Sequence, residues 1–204
     1  MADEEMKEVA SEKEIKKDSW QNDLILSLHD MVYTLGIIIL VFVLLFRVVV
    51  VSGSSMYNTL WDGDWLLVLN NVFYHEPEYG DIVLASKDSF HDGEIIVKRV
   101  IATEGQTVDI DFEAGIVYVD GVALEEDYTF TPTNHEEGMA FPLIVEEGCV
   151  FLMGDNRNGS TDSRNPDIGH VDKRQILGKA LLVVFPGDNK GNSPRDFSRI
   201  GAVK

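Results

Sequence analysis

Sixteen consecutive residues without a formal charge, Met31 to Phe46 (MVYTLGIIILVFVLLF), constrain this chain more than any other feature. A helix of that length rises about 24 Å, short of a hydrocarbon layer of about 30 Å. Continuing through Arg47 to Val51 gives 21 residues and roughly 31 Å, with Arg47 able to snorkel to the interface. A helix buried in a soluble core would show a polar stripe at helical spacing, and IIILVFVLLF shows none. A cleaved secretory leader would open with a short basic region and carry about 7–15 apolar residues. Here thirty mixed-charge residues come first, although Ser52 and Ser54 do offer small residues at cleavage-like spacing. The expectation is a retained single transmembrane anchor at residues 31–51 behind a solvated, partly helical tail at 1–30. Lys13, Lys16 and Lys17 precede the span, and Arg47 is the only basic residue immediately beyond it. Orientation follows Lys and Arg and largely ignores acids, so the tail is expected in the cytoplasm and residues 52–204 outside it.

The part beyond the span reads as β. Trp65–Leu69, Asp81–Ala85, Glu94–Ile101, Cys149–Met153 and Lys179–Phe185 are short apolar runs rich in Val and Ile. Val108–Phe112 alternates strictly, as a half-buried strand does. Ile116–Val119 and Val122–Leu124 flank Asp120-Gly121, a two-residue hairpin signal. No amphipathic helix of three turns follows the anchor. The fold class is therefore mainly β: one N-terminal transmembrane helix, then a mostly antiparallel β domain with a small β insertion at about 104–148. Within it the acidic stretch Glu125–Glu147, broken by Pro132, Asn134, Gly138 and Pro142, reads as irregular or hairpin. The terminal Gly187–Lys204 segment reads as loosely ordered.

Charge excludes some functions. Ser52–Lys204 holds 12 Lys and Arg against 26 Asp and Glu, so the domain lacks the basic face that nucleic acid or polybasic lipid attachment requires. One cysteine, Cys149, permits neither an intrachain disulfide nor a Cys-based zinc site.

Three segments carry candidate chemistry. Val51–Leu60 (VSGSSMYNTL) is a small-residue loop between apolar runs. Lys98 lies inside the apolar run Ile95–Ile101. A lysine there must reach water, pair, or lose its charge, because burial disfavours the ammonium form. A neutral amine can take the proton of a serine hydroxyl. Alternation leaves open whether Lys98 or Arg99 points inward. Gly154–Arg164 (GDNRNGSTDSR) directly follows an apolar strand; a calcium loop fails, since Arg157 stands where Asp or Asn is required.

VSGSSMYNTL, IVKRVIATEGQ and FLMGDNRNGSTDSR, in that order behind an N-terminal span and with GDWLLV at Gly63–Val68, resemble the bacterial type I signal peptidases over roughly Val51 to Pro186. The resemblance implies Ser55 as nucleophile and Lys98 as general base. Ser160 would hydrogen-bond and orient the lysine amine, and Asp162 and Arg164 would be a supporting pair. Gly154 would leave room beside the lysine, with Met56 a further supporting residue. The Ser55 N–H would help bind the oxyanion. Gly53 stands where some members carry a donating serine, the pattern of the Gram-positive type. Asn58 stands where the family usually has proline, which loosens the turn but removes no catalytic group. The implied activity is removal of N-terminal signal peptides from exported preproteins after small residues at −1 and −3, without metal or cofactor. The implied setting is the cell membrane beside the export machinery, as a monomer with a cytoplasmic N-terminus. None of His29, His75, His91, His135 and His170 is then needed, and all five read as surface residues. Self-cleaving serine–lysine proteases share a Ser-Met box and a lysine on a related β fold, but the span and the GDNR…S.DSR segment argue against them. The remaining alternative is an anchored β module that only binds, or a catalytically dead relative.

Overall fold

The computed structural model describes residues 2–87, 90, 93–188 and 194–203. It divides into two units, Met1–Leu44 and Leu45–Lys204. The first is helix α1 (Ala2–Leu45). Its part from Asn22 to Leu45 is long and apolar enough to cross a membrane. The large apolar side chains from Leu24 to Leu44 are exposed, so no protein core covers them.

The helix stops at Leu45 and does not run to Val51 as the sequence suggests. Phe46–Val50 is instead strand β1. Four consecutive valines follow Arg47, and β-branched side chains prefer the pleated backbone once a partner strand is available. That partner is β2 (Trp65–Asn70), which pairs antiparallel from Phe46↔Leu69 to Val50↔Trp65. Val49 then packs on the core, while Val48 and Val50 face outward.

The remaining strands are β3 (Ile82–Ser86), β4 (Ile95–Thr103), β5 (Thr107–Asp111), β6 (Ile116–Val119), β7 (Val122–Ala123), β8 (Leu143–Ile144), β9 (Cys149–Met153), β10 (Val171–Asp172), β11 (Ile176–Phe185) and β12 (Gly201–Ala202). An eight-stranded antiparallel sheet runs β1-β2-β11-β3-β4-β9-β10, with β12 added to β11. A four-stranded sheet, β7-β6-β5-β8, forms the insertion. The Asp120-Gly121 turn has φ of 52° and 78°, the left-handed pair that a two-residue hairpin requires. Among the described residues after α1, the only helical pieces are three single 3₁₀ turns.

One register detail positions the site. β4 pairs with β3 through Ile95–Arg99 but with β9 only from Arg99 onward. On the β9 side, Ile95–Lys98 is therefore left without a strand neighbour.

The C-terminal segment differs from its expected looseness. Asp64 is fully buried, and a buried carboxylate must be satisfied. It accepts from the Gly187 N–H at 2.7 Å and from both terminal nitrogens of Arg199 at 2.9 and 2.7 Å. β12 then pairs with β11. Residues 189–193 and 204 of that segment lie outside the described residues.

Candidate active site

The loop after β1 is held by acids of the segment before β2. Gly53 N–H donates to Asp62 Oδ1 at 2.6 Å, Val51 N–H to the Asp64 carbonyl at 2.8 Å, and Gly63 N–H to the Val51 carbonyl at 2.9 Å. Met56 and Leu60 are buried anchors of the loop. The turn after Ser55 is closed by Tyr57 N–H to the Ser54 carbonyl and Leu60 N–H to the Met56 carbonyl. Gly53 has φ +94°, so a serine at that position would be strained.

β4 delivers Lys98 to this loop. Its Nζ lies 2.8 Å from Ser55 Oγ and donates to the Val97 carbonyl at 3.2 Å. Lys98 is 4% exposed. Burial pulls its pKa down from 10.5 to about 8, against the opposing pull of Asp162, Glu137 and Asp155. A neutral amine fits these contacts: it donates to Val97, and its lone pair accepts the Ser55 hydroxyl proton along the 2.8 Å line.

The loop after β9 braces both groups. Asn156 N–H donates to the Ser55 carbonyl at 3.0 Å, and its side chain donates to the Ser54 carbonyl at 3.1 Å. A Cβ on Gly154 would stand 2.2 Å from Ser160 Oγ and 2.5 Å from the Ser55 carbonyl oxygen, so no side chain fits there. Asp162 accepts from Gly154 N–H at 2.9 Å and from Arg164 Nε and Nη2, both at 2.8 Å. Arg164 also donates to the Arg157 carbonyl at 2.6 Å and the His135 carbonyl at 3.0 Å. Ser160 differs from its expected role. Its Oγ is buried beside Gly154 and makes no hydrogen bond among the described residues, while the Lys98 amine spends its contacts on Ser55 and Val97.

Reasoning from sequence missed four partners. Arg99, on the opposite face of β4 from Lys98, holds Asp155 with two bonds of 2.8 and 2.7 Å, and Thr59 of the serine loop donates to the same carboxylate. Arg157 is clamped by Glu126 and Thr133 of the insertion. Glu137 lies against Arg164. The available signal was the arginines: three in apolar or Gly-rich strand and loop contexts demand acids, and the insertion is where unassigned acids are plentiful. Of the histidines, His29, His75 and His135 are exposed, His170 is half-buried with Nδ1 accepting from Glu146 N–H, and His91 lies outside the described residues.

A cleft of about 510 Å³ opens over Ser55 and Lys98. Its walls are Val49–Ser52 at the outer edge of the sheet, Met56, and Glu94–Val97 from the unpaired stretch of β4. Among the described residues, no group of three or more His, Cys, Asp or Glu side chains is placed to hold a metal ion.

A mainly antiparallel β domain, with a serine and a buried lysine in contact at the floor of an open cleft, defines the class as a hydrolase-like β fold behind an apolar helix. The family model described as signal peptidase, peptidase S26, matches residues 24–185. The chain is 38% identical over 149 residues to a probable signal peptidase I-1 of Synechocystis sp., covering 69% of this chain and 72% of the relative. It is 33% identical over 189 residues to signal peptidase I of Bacillus amyloliquefaciens, covering 86% and 92%. A crystal structure of a signal peptidase I from Enterococcus faecalis matches 51% of this chain and 96% of its own, at 30% identity and a TM-score of 0.42. The chain belongs to the signal peptidase family S26 and is a serine peptidase of the signal peptidase I type. Its activity is the removal of signal peptides from preproteins.

Proposed function

We propose that the peptide bond is cut by a Ser55–Lys98 dyad through an acyl-enzyme. The observation that carries this is the 2.8 Å contact between Ser55 Oγ and the buried Lys98 amine, whose pKa is drawn down to about 8. Lys98 takes the hydroxyl proton as Ser55 Oγ attacks the scissile carbonyl. The Ser55 N–H, which its loop's own hydrogen bonds leave unused among the described residues, stabilises the developing oxyanion. Lys98 then passes the proton to the leaving amine, and later activates the water that releases the signal peptide from Ser55.

The substrate enters extended. The free outer edge of β1 and the unpaired Ile95–Val97 edge face the cleft, and both can hydrogen-bond an added strand. Walls of Val49, Val51, Met56 and Ile96 favour small side chains at −1 and −3.

A membrane setting is supported within the catalytic unit itself. Val50, Trp65 and Phe185 are neighbours across three strands, Phe197 stacks on Phe185, and all four are exposed. An apolar face of this kind suits a bilayer surface. We assign residues 22–45 to the span, the residues before it to a cytoplasmic tail and those after it to the extracytoplasmic catalytic domain. β1 follows the span without a linker, tethering the monomeric enzyme where the export machinery delivers preproteins.

The test is cleavage of a preprotein by detergent-solubilised full-length protein. Ser55→Ala and Lys98→Ala should each lower kcat/KM by about a thousandfold or more. Unchanged cleavage by either variant sinks the dyad; loss in both excludes a domain that only binds.

A further inference from the structure

The acidic insertion sends one carboxylate into the base of the active site. Glu137 lies on an otherwise exposed stretch, yet its side chain is 7% exposed. Its Oε2 accepts from the Asp162 N–H at 3.3 Å. Its Oε1 stands 3.0 Å from Arg164 Nη2 as an ion pair, but the angle does not make a hydrogen bond, which leaves that oxygen buried and unsatisfied. Arg164 is thus shared by two carboxylates, with Asp162 holding the fork and Glu137 capping it from the insertion.

We infer that Glu137 is a positioning residue for the Lys98 amine, acting through the Arg164–Asp162 pair and setting the field in which that amine exchanges its proton with Ser55. The inference rests on the dyad reading above and adds the insertion as a working part of it.

The charges explain why such a residue matters. Lys98 faces Asp162, Glu137 and Asp155 as acids and Arg164 as a base. Glu137 faces Asp162, Arg164 and Lys98, and its exposed chain neighbours are His135 and Glu136. With Lys98 neutral, Arg164 alone would balance Asp162 and Glu137, an excess of one buried negative charge that the interior disfavours. Glu137 relieves it by taking a proton. Burial first, then Asp162, pushes its pKa up to about 7, close below that of Lys98. The two groups therefore titrate as a coupled pair, in which an ionised Glu137 holds the proton on Lys98 and a neutral Glu137 releases it. A further consequence is that Arg164 stays paired through Asp162 in either state, so the loop bearing Ser160 and Asp162 keeps its place while the charge changes.

The experiment measures kcat/KM for a preprotein from pH 5 to 10 with the full-length protein in detergent. Wild type, Glu137→Gln and Glu137→Asp are compared, with Lys98→Ala as reference. Glu137→Gln removes the negative charge and should move the midpoint of the acid limb down by roughly half a pH unit. Relative to its own plateau, its activity in the acid range then rises about threefold. Glu137→Asp, which keeps the charge, should leave the midpoint near that of wild type. A lowered plateau with an unmoved midpoint in Glu137→Gln would mean only packing, and overturns the inference; so does an upward shift. If Lys98→Ala still cleaves, the dyad itself fails, which is a different result from an unmoved limb with Lys98→Ala inactive. Should Glu137→Gln not fold, the coupling is read from the other side. By reciprocity, Lys98→Met should raise the midpoint of Glu137 in carbon-13 spectra of glutamate-labelled protein. An unchanged Glu137 midpoint overturns the inference equally.

Discussion

Lys98 and Arg99 are consecutive on β4, are 4% and 2% exposed, and meet opposite fates. Arg99 reaches Asp155 with two hydrogen bonds, adds the Gly80 carbonyl at 2.9 Å and lies 3.9 Å over the Tyr128 ring. Lys98 has no carboxylate within hydrogen-bonding reach, only Ser55 Oγ and the Val97 carbonyl. Equal burial therefore gives two outcomes. A guanidinium with a matched partner keeps its charge and ties the serine loop, β4, the β9 loop and the insertion together. An amine without one is pushed toward neutrality and becomes chemically useful. Desolvation supplies the cost on both faces, and the presence of a fork-matched carboxylate decides whether it is offset.

The largest expected contrast separates stability from activity. Arg99→Ala strands Asp155, fully buried, with Thr59 as its remaining side-chain donor. Breaking a buried pair from one side costs about 3–5 kcal/mol, and denaturant melts of the full-length protein in detergent should show it. Lys98→Met should do the reverse, abolishing cleavage while stabilising the fold at pH 7. The sign follows from linkage. The folded pKa of Lys98 is depressed from 10.5 to about 8, so at neutral pH the folded state must hold an unwelcome ammonium, and that penalty is lifted only as pH climbs from 8 to 10.5. The gain from Lys98→Met is thus at most about 3 kcal/mol below pH 8 and fades above it. A destabilised Lys98→Met, or a harmless Arg99→Ala, breaks the comparison.

A smaller effect is expected from pH alone. Only the neutral amine accepts the Ser55 proton, so kcat/KM should rise with pH and level off above about 8. Two units below that midpoint the neutral fraction is about a hundredfold lower. Arg99 stays charged across the whole range and contributes nothing to the profile. A rate that is flat from pH 9 to 5 would show that Lys98 does not act as the base.

These two faces also mark how far the sequence could be read. The strands with alternating or Val-rich runs, and the Asp120-Gly121 hairpin, were legible because local pattern and final pairing agree. β1 was not, because an apolar run from Ile37 to Val51 looks the same to a helix and to a strand until the partner at Trp65–Leu69 is known. The two-residue strands β8, β10 and β12 owe their existence to neighbours rather than to their own sequence. In the site, Ser55 and Lys98 stood out through motif order, and Lys98 against Arg99 was undecidable because both are buried. Glu126 and Glu137 were hidden among the acids of the insertion, where each looks like a solvated loop residue. Only the buried arginines they serve distinguish them.

The smallest expected effect tests what the Arg99 face requires. Arg99→Lys keeps the positive charge beside Asp155 but replaces a planar fork by a single ammonium. If charge alone holds this face, the variant should match wild type. The geometry argues otherwise, since Nε and Nη2 each take a separate Asp155 oxygen while Nη1 takes the Gly80 carbonyl. A lysine can satisfy only part of that set and loses the stacked contact with Tyr128, so a loss of about 1–2 kcal/mol is expected in the same melts, well short of Arg99→Ala. The midpoint of the pH–rate profile should stay near 8, because the ion pair to Asp155 survives and the field at Lys98 changes little. A shifted midpoint with unchanged stability would mean that Arg99 tunes the lysine rather than bracing the loops, and the two faces of β4 would then share one role.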